Sequence, residues 1–259
     1  MSGPLPPEPL SAEPATCDDP DRPGPNPRRQ KLQEWIALAR TVPGRFLIAA
    51  LVACGTCLPA AVVTVSVVLG WAPMISWDEG IVRSATEVTR GNRPMILLLL
   101  LWKDISAPTN VYLLSAPALV WAWRSDYRHR TLWAGATMYV GSQIGPTVKE
   151  MVARPRPDFS GISHWAPGFS FPSGHVFHAT LMFCTVLVLV WPLLTGRPPW
   201  IRICLVCVAV LFCAVTALNR LYLGVHFPSD VLAGLLLAGG LTLAAWVGLR
   251  HRPARQSAS

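Results

Sequence analysis

Long apolar runs constrain this chain more than any other feature of its sequence. A helix that crosses the bilayer core needs about 20 consecutive apolar residues. Runs of this kind predict six membrane spans, at residues 46–71, 105–123, 131–149, 176–195, 201–219 and 228–249. Only 14% of the 259 residues are charged, against about 25% in soluble domains, which excludes an ordinary water-soluble enzyme. The expected fold is therefore all-α, a bundle of six transmembrane helices.

Two segments next to the first spans are less apolar. Residues 74–93 mix charged and apolar side chains in a pattern typical of an amphipathic helix that lies on the membrane surface. Residues 94–104 are apolar but run into Lys103 and Asp104. We therefore expect the second span to begin near residue 105, with 94–104 as an interfacial segment or as an extension of the span.

The two ends of the chain are polar. Residues 1–45 hold ten prolines and show no apolar periodicity until about residue 32, which predicts a disordered cytoplasmic tail over 1–30. Residues 31–45 are compatible with a short interfacial helix, and the apolar stretch starts too late for a signal peptide. The predicted organisation is thus a tail at 1–45, a membrane domain at 46–250 and a second cytoplasmic tail at 251–259.

The net charge of +8 is best explained by membrane topology. If both termini are cytoplasmic, 14 of the 22 Lys and Arg residues fall in cytoplasmic segments, as the positive-inside rule requires. Basic residues form no stripe with interleaved aromatic residues, so a nucleic-acid partner is not expected. This orientation predicts a multi-pass protein of the plasma membrane in which 74–93, 149–175 and 220–227 face outward.

Three polar clusters lie at the predicted outer ends of the spans. They are Lys149 with Arg156, then Phe171-Pro172-Ser173-Gly174-His175, then Arg220, His226 and Asp230. Polar groups placed near lipid are costly and indicate function. Lysine and arginine bind phosphate oxygens, and a helix that begins at Ser173-Gly174 offers backbone N–H groups to an anion. Two histidines can supply a nucleophile and an acid. A carboxylate four residues after His226 can reach back to its ring.

These clusters together resemble the three-part signature of the type 2 phosphatidic acid phosphatase (PAP2) superfamily, over about residues 75–245. The matching motifs are Lys149-x6-Arg156-Pro157, Pro172-Ser173-Gly174-His175 and Arg220-x5-His226-x3-Asp230. The resemblance implies that His226 attacks phosphorus and forms a phosphohistidine, that Asp230 orients His226, and that His175 protonates the leaving group. It also implies that the phosphate is held by Lys149, Arg156, Ser173, Gly174 and Arg220, with no metal ion or cofactor.

Two positions depart from this pattern or duplicate it. Asn219 stands where the family usually has serine before the arginine, and we expect altered contacts with retained activity, since an amide still donates hydrogen bonds. Arg154-Pro155 is a second Arg-Pro pair. Because only Arg156 has the seven-residue offset from Lys149, Arg154 is the reserve candidate.

The expected function is hydrolysis of a lipid phosphate or diphosphate at the outer membrane face. Candidate substrates are phosphatidic acid, phosphatidylglycerophosphate and polyprenyl mono- or diphosphates, with undecaprenyl diphosphate slightly favoured by an outward site. Two other classes stay open. One is a lipid phosphotransferase that passes phosphate to an acceptor other than water, and the other is a catalytically silent membrane receptor or transporter on the same scaffold.

Overall fold

A computed structural model describes residues 33, 42–159 and 167–250. The chain divides into two units, Met1–Leu38 and Ala39–Ser259, and all of the helices described belong to the second. The predicted tails at 1–30 and 251–259 lie outside the described residues. Of the predicted interfacial helix at 31–45, residues 33 and 42–45 are described and the others are not.

Residues 42–159 and 167–250 are almost entirely helical and contain no β-strand. The helices are α1 Val42–Val68, α2 Ala72–Thr89, α3 Arg93–Ile105, α4 Pro108–Arg124, α5 Arg128–Val152, α6 Gly174–Val190, α7 Pro199–Tyr222 and α8 Pro228–Arg250. A 3₁₀ turn, Trp191–Leu194, continues α6. Proline stands in the first turn of α2, α3, α4 and α7, where its missing N–H costs no intrahelical hydrogen bond.

Helix α6 lies at the centre of the bundle and packs against α4, α5, α7 and α8. Its side chains include fully buried Phe177 and Leu181. Glycines on the neighbouring helices permit the close approach: a Cβ on Gly145 of α5 would lie 3.2 Å from the Phe177 ring, and one on Gly234 of α8 would lie 3.0 Å from the Ser173 carbonyl oxygen. Small residues at such crossings let helix backbones pack closely.

In the part of the chain that the structure describes, four helical segments are long and apolar enough to cross a membrane: Phe46–Val68, Gly174–Leu194, Pro199–Tyr222 and Pro228–Gly248. Helices α3 and α4 meet that criterion together as a pair bent by 54°, which raises the number of candidates to five. Helix α5 has 25 residues but carries too many glycine and polar residues to meet it. The all-α prediction is therefore confirmed, while the count of six spans stays a prediction.

Helix α2 corresponds to the expected amphipathic segment, but its buried face is partly polar. Asp78, Val82, Thr86 and Thr89 are the buried residues, and they recur at helical spacing on one side. This side packs mainly against α7 and α8. The Asp78 carboxylate therefore faces the bundle, and the placement of α2 at a membrane surface stays a prediction.

Candidate active site

A cavity of about 410 Å³ opens where the ends of four helices meet. Side chains from the three predicted clusters line it, together with residues from α3 and the turn into α4. The polar lining residues are Lys149, Arg156, His175, Arg220, His226, Lys103 and Asp104. A second cavity, of about 480 Å³, is lined by Arg130, Trp191 and Trp246 and contains none of the predicted site residues.

His226 lies in the turn between α7 and α8 and is 2% exposed. Arg156 Nη1 lies 3.3 Å from His226 Nε2. A guanidinium donates hydrogen bonds and cannot accept them, so Nε2 carries the lone pair and the ring proton is on Nδ1. Burial lowers the pKa of His226 to about 4, although the neighbouring Asp230 carboxylate opposes that shift. The ring is therefore neutral at pH 7, with its lone pair on Nε2.

Asp230 is fully buried in the first turn of α8, behind the His226 ring. Its Oδ2 lies 3.6 Å from His226 Nδ1, longer than a direct hydrogen bond. The same oxygen accepts a 2.8 Å bond from the Phe227 backbone N–H. His226 Nδ1 has no hydrogen-bond partner among the described residues. A carboxylate held this close to a buried N–H can orient the ring by electrostatic attraction.

Two of the predicted phosphate-binding cations are fixed by backbone carbonyls. Lys149, in the last turn of α5, donates from Nζ to the Phe169 oxygen at 2.8 Å. Arg156 donates from Nη1 to the Val225 oxygen at 2.8 Å and from Nε to the Gly168 oxygen at 3.1 Å. These bonds hold both positive charges at the cavity wall before any anion binds.

The third cation, Arg220, is held by the residue that departs from the family pattern. Arg220 is 3% exposed, and both its Nε (3.0 Å) and its Nη2 donate to the Asn219 Oδ1. The Asn219 amide in turn donates from Nδ2 to the Leu99 oxygen of α3 at 2.7 Å. Asn219 thus links the site arginine to α3 by accepting on one side and donating on the other.

The first turn of α6 supplies the remaining predicted residues. The Ser173 N–H donates to the Asp230 backbone oxygen at 3.0 Å, which joins the starts of α6 and α8. The fully buried Ser173 Oγ has no partner among the described residues. Gly174 and His175 follow at the cavity wall, and a Cβ on Gly174 would meet nothing within 4 Å. The first N–H groups of a helix have no intrahelical acceptors, so this turn can bind an anion.

Arg154, the reserve candidate, does not line the cavity. Its guanidinium is 8% exposed and bridges two fully buried carboxylates, Asp230 and Asp78. Sequence reasoning did not anticipate this function for Asp78, which stands 76 residues before Arg154 on α2. The one sequence signal was that Asp78 lies four residues before the apolar Val82, which puts both on the same face of α2. Within the described residues, no group of three or more His, Cys, Asp or Glu side chains could hold a metal ion.

This chain is similar in sequence and in fold to known phosphatases. Residues 130–253 match the PAP2 superfamily model. A solved transmembrane PAP2-type phosphatidylglycerolphosphate phosphatase from Bacillus subtilis superposes with a TM-score of 0.64 at 22% identity, over 79% of this chain and 98% of that one. This similarity shows the fold, and with the apolar helices it makes the chain a multi-pass membrane protein.

Two curated relatives of this chain are phosphatases. Phosphatidylglycerophosphatase B of Bacillus subtilis (strain 168) is 34% identical over 128 residues, which is 47% of this chain and 61% of the relative. Decaprenylphosphoryl-5-phosphoribose phosphatase of Mycobacterium tuberculosis is 35% identical over 125 residues, which is 46% of this chain and 62% of the relative. The chain therefore spans about three fifths of the length of these relatives.

Proposed function

We propose that this protein is a membrane phosphatase that hydrolyses a lipid phosphate or diphosphate through a phosphohistidine intermediate. The observation that carries the proposal is that His226, with its lone pair on Nε2, lines one cavity with Lys149, Arg156 and Arg220. The three cations can neutralise the negative charge of a bound phosphate group and stabilise the additional charge that develops on its oxygens in the transition state.

In the first step His226 Nε2 attacks phosphorus, and the bond between phosphorus and the leaving oxygen breaks. His175, on the same cavity wall, donates a proton to that oxygen. Asp230 keeps the His226 proton on Nδ1 and stabilises the positive charge that the ring acquires on bonding to phosphorus. The three cations and the first turn of α6, with Ser173 and Gly174, bind the phosphoryl oxygens.

In the second step a water molecule attacks phosphorus and the Nε2–P bond breaks. One water proton passes to the site, inorganic phosphate leaves, and His226 returns as a neutral base. His175, which has given up its proton in the first step, is the group that accepts a proton here. The cycle requires no metal ion or cofactor.

The membrane setting supports a lipid substrate. The catalytic groups lie at the ends of apolar helices, where the phosphate of a lipid in the same leaflet can reach them. We place six spans in the plasma membrane, with both termini cytoplasmic and the site on the outer face, because the basic residues then follow the positive-inside rule. The names of the two curated relatives favour a phosphatidylglycerophosphate or a polyprenyl-linked phosphate as the substrate.

The test is phosphate release from a panel of lipid phosphates in nanodiscs, with EDTA present. We expect wild-type protein to release phosphate from at least one of them. His226→Ala should release none, although it remains folded and unfolds cooperatively on heating. Arg93→Met, a change at an exposed residue of α3 outside the cavity, is the matched control and should behave as wild type. Near-normal turnover by His226→Ala, or complete inhibition of wild type by EDTA, would show the mechanism to be wrong.

A further inference from the structure

A buried ion network lies behind the catalytic cavity, on the side of His226 that faces away from the substrate. Arg154 Nη1 donates to Asp230 Oδ1 and to Ser229 Oγ, each at 2.7 Å, and its Nη2 donates to Asp78 Oδ2 at 2.8 Å. The guanidinium also stacks over the Phe227 ring, 4.0 Å from its centroid. Asp78, Ser229 and Asp230 are fully buried, so solvent does not screen these contacts.

The network fixes the orientation of the Asp230 carboxylate. Oδ1 is held by Arg154 and Oδ2 by the Phe227 N–H, which leaves Oδ2 directed at His226 Nδ1 from 3.6 Å. Two different donors on two oxygens prevent the carboxylate from rotating. Without Arg154, Oδ1 would lose its charged partner in a site closed to water, and removing one member of a buried ion pair is strongly unfavourable.

Asp78 fixes Arg154 and the start of α8 together. Asp78 Oδ1 accepts the Ser229 N–H at 2.9 Å, and Asp78 Oδ2 accepts the Ser229 hydroxyl as well as Arg154 Nη2. One carboxylate from α2 thus satisfies a donor at the N-terminus of α8, where the backbone N–H groups lack intrahelical acceptors. The network therefore joins three parts of the chain: α2, the segment after α5, and the start of α8. Its contact on α8 is Ser229, the residue next to Asp230.

The balance of charge in the network favours the proposed chemistry. One guanidinium serves two carboxylates, so the three ions carry a formal charge of −1 beside His226 Nδ1. When His226 Nε2 bonds to phosphorus its ring becomes positive, and a fixed negative charge in a buried site stabilises that state. Arg156, by contrast, reaches His226 from the cavity side, 3.3 Å from Nε2. The two arginines therefore act on opposite nitrogens of one ring.

We propose that Arg154, anchored by Asp78, is a positioning residue that acts through Asp230 on His226 and does not bind the phosphate. This inference rests on the proposed phosphatase function. A positioning residue affects the chemical step and leaves phosphate binding intact, because Lys149, Arg156 and Arg220 supply that binding. The effect of its loss therefore falls on kcat, while KM and inhibition by inorganic phosphate stay unchanged.

The experiment measures kcat, KM and the inhibition constant for inorganic phosphate in Arg154→Met, Arg154→Lys and Asp78→Asn, with Arg93→Met as control. We expect Arg154→Met to lower kcat at least 100-fold with both other constants within threefold of wild type. Arg154→Lys should recover part of this loss, because an ammonium keeps the charge but bonds fewer acceptors. Asp78→Asn, which keeps the side-chain shape, should lower kcat about 10-fold.

Each outcome decides between distinct conclusions. A parallel rise of KM and of the phosphate inhibition constant in Arg154→Met would make Arg154 a phosphate ligand and overturn the proposal. Wild-type kcat in Arg154→Met or Asp78→Asn would overturn it equally. If Arg154→Met fails to fold, Asp78→Asn alone gives the decision by the same criteria. Absence of phosphate release by wild type and Arg93→Met contradicts the proposed function, and with it the inference, whereas an active wild type isolates the effect of Arg154.

Discussion

Replacing Asn219 with alanine tests whether the position of Arg220 matters for the reaction. The substitution removes the Oδ1 that accepts two bonds from Arg220 and the Nδ2 that donates to the Leu99 oxygen at 2.7 Å. Arg220 stays in place as a charged group that is 3% exposed. Water cannot fully replace the lost acceptor, so the guanidinium is free to turn away from the cavity.

The size of the effect follows from the kind of hydrogen bond that is lost. A hydrogen bond to a charged group contributes about 1.5–3 kcal/mol. If the transition state loses this amount of stabilisation, kcat/KM should fall about 10- to 150-fold in Asn219→Ala. Asn219→Ser keeps a shorter hydrogen-bond acceptor, and we expect its kcat/KM to fall less than 10-fold.

The assay is initial-rate phosphate release in nanodiscs, paired with thermal unfolding to correct for the folded fraction. Gln143→Ala removes an amide from an exposed position of α5 and should leave kcat/KM unchanged. An Asn219→Ala protein that is fully folded and within twofold of the wild-type kcat/KM would refute the reasoning. In that case the contact between Asn219 and Arg220 would be without consequence for phosphate binding.

Two further predictions concern packing and pH. A Cβ on Gly234 would lie 3.0 Å from the Ser173 carbonyl oxygen and 3.3 Å from the Phe177 nitrogen, so Gly234→Ala should separate α8 from α6 and lower phosphate release about 10-fold or more. Gly239→Ala is the control, because its new Cβ has nothing within 4 Å, and it should leave phosphate release unchanged. Equal activities of the two variants would contradict this prediction. Burial lowers the pKa of His226 to about 4 in the folded protein, from its ordinary value of 6.5. The folded state therefore binds fewer protons than the unfolded chain between these values. Stability from this group is present above pH 6.5 and is lost as the pH falls towards 4, so the Tm of wild type should drop relative to that of His226→Ala over this range. A constant difference in Tm would count against a buried neutral ring.

The apolar runs predicted most helices, because a span is defined by local composition. The first span, expected at 46–71, contains the segment Phe46–Val68, and the last, expected at 228–249, contains Pro228–Gly248. The bend between α3 and α4 was harder to foresee. Lys103 and Asp104 indicated a break in the apolar run. Whether such residues end a helix or interrupt it depends on the packing around the cavity that they line, and local sequence does not show that packing.

The motifs predicted which residues meet at the site, since their spacing reflects how helix ends converge. The supporting residues were not predictable in the same way. Asp78 and Leu99 belong to α2 and α3, and they contact Arg154 and Asn219 across 76 and 120 positions of sequence. Such contacts depend on the packing of whole helices. A single aspartate or a backbone carbonyl therefore gives no sign in the sequence of the partner that it will have.

The short segment after α5 has a consequence for how this sequence can vary. Residues 153–158 form no helix or strand, and a residue before proline favours an extended backbone, in which side chains two positions apart point the same way. Arg154 and Arg156 thus both reach the turn that carries His226, one at Asp230 and the other at Val225. The length of this stretch is therefore constrained, because the direction of each arginine depends on it. Insertion or deletion of a single residue between the two arginines would turn one of them to the opposite side of this extended segment, away from the turn that carries His226.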